Sequence, residues 1–170
     1  LIVYDLVKEL FVNLQNNLST AMFFNILTHF FWFFGIHGTN ILEPVALELY
    51  STALQQNAVD VLYGIPPKEI FTKTFFDVFV FLGGCGSTLC LVAAILIGAS
   101  KSNLTKIAKM SILPAIFNIN EVIVFGLPIV FNPYYIIPFF LVPCVLTLTT
   151  YFAMSWGLVP LTVYKTAWTT

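Results

Sequence analysis

Arginine is absent from this 170-residue chain, and charge of either sign is scarce. Charged residues make up 9% of it, against roughly a quarter in a soluble domain, too few to cover a surface in water. Without guanidinium forks, a surface built to grip phosphate is disfavoured. A net charge of -1 likewise argues against steering of nucleic acid. The three cysteines, Cys85, Cys90 and Cys144, follow no metal-site spacing and lie in apolar surroundings. They are read as core thiols, and neither metal nor cofactor is expected. No basic stretch with a small-residue cleavage site opens the chain. It starts at Leu1 and stops at Trp168-Thr169-Thr170, so it is expected to be a piece of something longer.

What is present is apolar: 59% hydrophobic residues, with 18 phenylalanines. No charge interrupts Val78 to Gly98, and a charge-free stretch of about 18 or more residues reads as a membrane span. The fold class expected is an all-α polytopic membrane protein. Residues 1–18 read as an amphipathic interfacial helix, with Val3, Leu6, Leu10 and Leu14 opposite Asp5, Lys8 and Glu9. Residues 21–36 are apolar, break at Gly35 to Asn40, and resume from Ile41 to about Leu54. Two short apolar pieces around a polar break predict a broken or re-entrant helix, which survives at membrane depth only inside protein or beside a wet cavity. Residues 57–70, with Pro66-Pro67, predict a loop. Residues 75–100 predict a continuous span, its Gly83 to Thr88 patch allowing close helix packing. Lys101, Lys106 and Lys109 predict a short cytoplasmic loop. Residues 111–131 form the second broken pair, interrupted at Asn118-Ile119-Asn120-Glu121. The last span, 134–156, is bounded by Tyr135 and Trp156 as interfacial aromatics.

Glu121 carries the most information, because a carboxylate inside an apolar segment is costly and by default functional. With Asn118 and Asn120 beside it, it suits a polyhydroxylated ligand; the alternative is a structural carboxylate paired with a lysine. His37, between Gly35 and Gly38, is placed to orient a hydroxyl that must lose its proton; the alternative is a packing histidine. His29 continues a polar stripe with Asn25 and Thr28 and reads as an interhelical hydrogen-bonding face. Gly83 to Thr88 lacks the lysine of a phosphate loop, and Cys85 lacks the electropositive setting of a reactive thiolate. Trp32 is placed to stack on a sugar face. Glu43 and Glu48 either line the cavity or face water at a half-helix end.

Trp32-Phe33-Phe34-Gly35-Ile36-His37-Gly38 resembles the histidine motif of the membrane (C) component of enzyme II of the bacterial phosphotransferase system, lactose/cellobiose/diacetylchitobiose type. Phe117 to Glu121, with Phe125 to Val130 and Asn132-Pro133, resembles the glutamate motif of the same family. Asp77 and Leu82 to Leu89 resemble the helix between them, and Trp168-Thr169-Thr170 the start of a further motif. The resemblance implies a multi-pass protein of the bacterial cell (inner or plasma) membrane that imports a β-linked disaccharide. Residues 19–170 would be part of its sugar-binding transport domain, preceded in full-length members by a dimerising half. It implies a substrate site of His37, Gly38, Asn118, Asn120 and Glu121, with His37 presenting the reacting hydroxyl. The phosphoryl group would come from a cysteine on a separate B component. Val122 stands where the family usually has proline, and Cys85 where it has serine or alanine. The rival reading is an ion-coupled sugar transporter with Glu121 as proton carrier. A third, a structural membrane subunit, predicts that Glu121→Gln leaves uptake intact.

Overall fold

The computed structural model describes residue 11 and residues 14–98 and 103–166, and every regular element among them is helical. Most of the expected helix over 1–18 lies outside the described residues. Residues 14–17 are irregular rather than helical. The reason is Asn17, which takes an extended conformation and accepts a hydrogen bond from the Thr20 N–H, capping helix α1 (Leu18–Phe33). Thr20, Ala21, Phe24, Asn25, Thr28, His29 and Trp32 recur every three or four residues and form the buried face of α1.

The first predicted break is present. Gly35 adopts φ +76, which ends the helical path after Phe33 at little steric cost. The chain re-enters helix at α2 (Gly38–Val45) with His37 as its N-cap. Here the expectation of a short half-helix fails. Residues of α2, a π-helical segment (Ala46–Ser51) and α3 (Thr52–Leu62) keep right-handed helical backbone through both junctions. Pro44 removes one amide donor inside α2, and the hydrogen-bond ladder slips to π spacing just beyond it. The predicted loop over 57–70 therefore begins only at Tyr63. Asn57, which looked like a turn former, is fully buried in α3. Its amide donates to the carbonyls of Glu69 and Thr162 and accepts from the N–H groups of Lys68 and Glu69, fastening two distant segments to the helix.

The expected continuous span over 75–100 is also corrected. A short α4 (Lys73–Phe75) runs into a π-helical segment (Phe76–Val80), a non-helical turn follows, and α5 (Thr88–Gly98) resumes. Gly83, Gly84, Gly86 and Ser87 all have positive φ, which is incompatible with a right-handed helix whatever the hydropathy. The turn is closed internally: Thr88 Oγ1 donates to the Gly83 carbonyl, and Ser87 Oγ to that of Val80 at 2.9 Å.

Helix α6 (Asn103–Ile116) includes Lys106 and Lys109, so these two lysines are exposed on a helix rather than in a loop; Lys101 lies outside the described residues. The second predicted break follows at Phe117 to Asn120, with Asn118 at φ +57, before α7 (Glu121–Gly126). Last comes α8 (Pro133–Ser155), capped by Asn132 and started by Pro133. It is the one described helix long and apolar enough to cross a membrane. Helix α1 packs against α8 and α2, and α6 against α5 and α7.

Two apolar clusters hold the helices. One gathers Phe24, Leu42, Tyr50, Phe75 and Phe76, with the Tyr50 and Phe76 ring centroids 4.7 Å apart. The other gathers Trp32, Cys85, Ile123, Val124 and Phe139. Of the three cysteines, Cys85 is buried and Cys144 partly so, but Cys90 is exposed. That is a correction to the core reading, since Cys90 lies on the outward side of α5.

Candidate functional site: a cleft between two helix breaks

The two breaks face one cleft. Its wall takes Trp32, His37, Thr39 and Asn40 from the first break and Asn118, Ile119, Asn120 and Glu121 from the second. Asp77 and Phe81, with Gly84 and Cys85 of the glycine turn, complete it. It encloses about 160 Å3.

His37 Nε2 lies 3.6 Å from Glu121 Oε1, with the two side chains 35% and 43% exposed. Residues 84 positions apart in sequence are thus neighbours, each still accessible from the cleft. The capping role of His37 decides which ring nitrogen faces Glu121 as a donor. The Asn40 backbone N–H donates to Nδ1 at 3.4 Å. The Thr39 hydroxyl, 2.8 Å away, then donates to the same lone pair. With Nδ1 accepting, the ring proton of a neutral imidazole is on Nε2, pointing at the carboxylate. Trp32 backs the ring, its centroid 4.5 Å from that of His37.

Gly38 does not line the cleft. It is buried under α1, where an added Cβ would collide with the Thr28 carbonyl oxygen and come within 3.1 Å of Trp32 Cδ1. Its contribution is close helix approach, which only a residue without a side chain permits. Asn118 and Asn120 line the cleft, but their amides also hold the glycine turn. Asn118 Oδ1 accepts from the Gly83 N–H at 2.8 Å, and Asn120 Nδ2 donates to the Cys85 carbonyl at 3.0 Å. The glycine patch is therefore a loop rather than part of a helix, clamped against the second break and, at Gly86, packed against Phe139 of α8. Gly84 is the glycine that faces the asparagine pair, with φ +94 and an added Cβ only 2.7 Å from that of Asn120. Gly84→Ala is expected to cost about 1–3 kcal/mol through left-handed strain and this clash. Thermal unfolding of the detergent-solubilised protein measures it, and an unchanged midpoint would refute the clamp.

Sequence reasoning did not single out the Lys73–Asp77 pair. Lys73 Nζ donates to both carboxylate oxygens of Asp77, at 2.6 and 2.7 Å, with the side chains 13% and 16% exposed. The signal was available: opposite charges four residues apart in an apolar helix. Asp77 lines the cleft and also a smaller hollow beside it that includes Thr39, Glu43 and Lys73. Glu43 thus lies next to the site, whereas Glu48 is exposed.

The family model described as "Phosphotransferase system, EIIC" matches residues 1–143. The oligo-beta-mannoside-specific EIIC component of the phosphotransferase system of Bacillus subtilis (strain 168) is 37% identical over 160 residues, which is 94% of this chain and 36% of that protein. The lactose-specific EIICB component of Streptococcus mutans serotype c is 38% identical over 116 residues, covering 68% of this chain and 20% of that protein. The crystal structure of the transporter ChbC, the IIC component of the N,N'-diacetylchitobiose-specific system, superimposes with a TM-score of 0.89 at 40% identity. That match covers 99% of this chain and 39% of ChbC. This chain spans between a fifth and two fifths of the length of these relatives. It belongs to the EIIC family of the phosphotransferase system.

Proposed function

We propose that this chain is the sugar-binding and translocating part of a polytopic permease of the bacterial cell membrane. It imports a β-linked disaccharide of the cellobiose, diacetylchitobiose or lactose class. The single observation that carries the reading is the meeting of His37 and Glu121, each at the polar end of a broken helix, 3.6 Å apart on one cleft. Irregular backbone of this kind is tolerated in a membrane where it lines a cavity, and broken helices are where transporters bind their cargo. A cleft of about 160 Å3 is smaller than the roughly 300–1,000 Å3 typical of drug-sized ligands. It takes one sugar ring, with the second extending past the exposed pair.

In this reading the two residues share the work. One sugar hydroxyl accepts a hydrogen bond from His37 Nε2–H and donates its own proton to the Glu121 carboxylate. That arrangement aims the remaining oxygen lone pair outward. The oxygen attacks the phosphorus of a phosphocysteine on a partner B component, the phosphorus–sulfur bond breaks, the thiolate leaves, and the hydroxyl proton passes to Glu121. The fused EIICB relative supports a B partner. The names of the relatives, for oligo-beta-mannoside, lactose and N,N'-diacetylchitobiose, support the β-linked class. A homodimer in the full-length protein, formed through a half outside this chain, and an interfacial role for residues 1–18 belong to the same proposal.

Membrane vesicles separate this reading from ion-coupled transport. With a radiolabelled disaccharide and a phosphoryl donor on the cytoplasmic side, the label is expected to accumulate as sugar phosphate. Accumulation should need the donor and resist an uncoupler. Free sugar in the lumen that an uncoupler abolishes would overturn group translocation.

A further inference from the structure

His29 is 1% exposed, and the reaction described above makes no use of it. Its ring is walled by apolar groups, with the Phe139 centroid at 5.2 Å and Phe81 at 5.8 Å. In such surroundings an apolar side chain would pack at no polar cost, and yet both ring nitrogens are used. Nδ1 lies 2.7 Å from the Asn25 carbonyl, which can only accept, so Nδ1 carries the proton. Nε2 then presents its lone pair and accepts from the Gly86 N–H at 2.8 Å.

That second bond reaches into the glycine turn behind the cleft. One residue back, the Cys85 carbonyl accepts from Asn120 Nδ2, and Asn120 directly precedes Glu121. On the other side, Asn25 Nδ2 donates to Thr147 Oγ1 of α8 at 3.1 Å. A single chain of hydrogen bonds thus runs from α8, through α1 and the glycine turn, to the residue before Glu121. We infer that His29 is a positioning residue for Glu121, acting through the Gly83–Ser87 turn and Asn120. The inference rests on the reading that Glu121 holds the sugar.

The test uses the full-length protein in lipid nanodiscs, with whichever of cellobiose, lactose or diacetylchitobiose the wild type binds best. His29→Asn keeps a polar group near the Nδ1 position but cannot reach Gly86. His29→Gln is longer, and its carboxamide oxygen can accept from the Gly86 N–H. His29→Asn is expected to weaken binding roughly tenfold, the scale of one misplaced contact, and His29→Gln less than about threefold. In a Glu121→Gln background, His29→Asn should add less than about twofold, because the two changes act on one contact. If Glu121→Gln weakens binding and His29→Asn does not, the inference alone is overturned. Equal losses in the two His29 variants, or a full His29→Asn effect in the double variant, overturn it as well. If Glu121→Gln binds sugar like the wild type, the site reading fails and this inference falls with it. Should His29→Asn not fold, the wild type carries the test through 15N-histidine resonances. Sugar is expected to move the His29 Nε2 signal although it does not touch that ring, and an unmoved signal overturns the coupling.

Discussion

Glu121→Gln is expected to weaken disaccharide binding roughly 10- to 150-fold, the equivalent of one charge-assisted hydrogen bond at about 1.5–3 kcal/mol. The substitution keeps the shape of the side chain and removes its charge. A carboxylate accepts from two hydroxyls at once, whereas an amide offers one acceptor and places an N–H where the second was. The fold should hardly respond. Glu121 is the first residue of α7, is 43% exposed at its side chain, and has His37 Nε2 3.6 Å from its carboxylate. Even a fully charged pair this exposed contributes only about 0–1 kcal/mol. The measurement is a binding isotherm together with the melting midpoint of the sugar-free protein. A large fall in the midpoint with little change in affinity would mark Glu121 as structural. Among the described residues the charged-group neighbour of Glu121 is His37 rather than a lysine, and Lys73 is engaged with Asp77.

Both helix breaks were legible because each is written in residues that an apolar helix avoids. Gly35 with Gly38 marks the first, and the Asn118–Asn120 pair ahead of a carboxylate marks the second. The third break was not legible, and the reason is physical. Hydropathy measures what a segment can bury, not which backbone conformation it adopts, so Val78 to Gly98 reads as one span even though four of its residues have positive φ. Glycine spacing suggested close approach, and the approach is real, but the glycines make it from a loop rather than a helix: Gly84 against the asparagine pair and Gly86 against Phe139 of α8. Asn57 misled in the opposite sense. An isolated asparagine favours turns, and only a tertiary arrangement that satisfies all four of its amide hydrogen bonds explains why it sits buried in α3. Asn118 and Asn120 were legible as polar groups at the site. Their part in clamping Gly83 and Cys85 depends on contacts 35 residues away in sequence, which no local pattern encodes.

Replacing His37 tests the other half of the site, and here one residue has two duties that different substitutions separate. Its Nδ1 caps α2, while its Nε2–H faces Glu121. His37→Ala removes both. Loss of an N-cap costs about 0.5–2 kcal/mol, so this variant should melt earlier as well as lose function. His37→Asn keeps the cap, because asparagine is among the best N-cap residues, but leaves nothing at the Nε2 position. The expected result for His37→Asn is a melting midpoint near that of the wild type and a disaccharide affinity lowered less than about tenfold, one neutral hydrogen bond being worth roughly 0.5–1.5 kcal/mol. Phosphorylation should fall further, about 100-fold, because a hydroxyl held on one side only is misaligned for attack. The double variant with Glu121→Gln should lose less than the product of the two single losses, since both residues hold the same hydroxyl in the proposed mechanism. Binding and phosphorylation measured on both singles and the double decide the matter. If His37→Asn lowers affinity and phosphorylation equally, His37 only binds. If the two losses multiply, the residues act on different atoms and the shared hydroxyl is wrong.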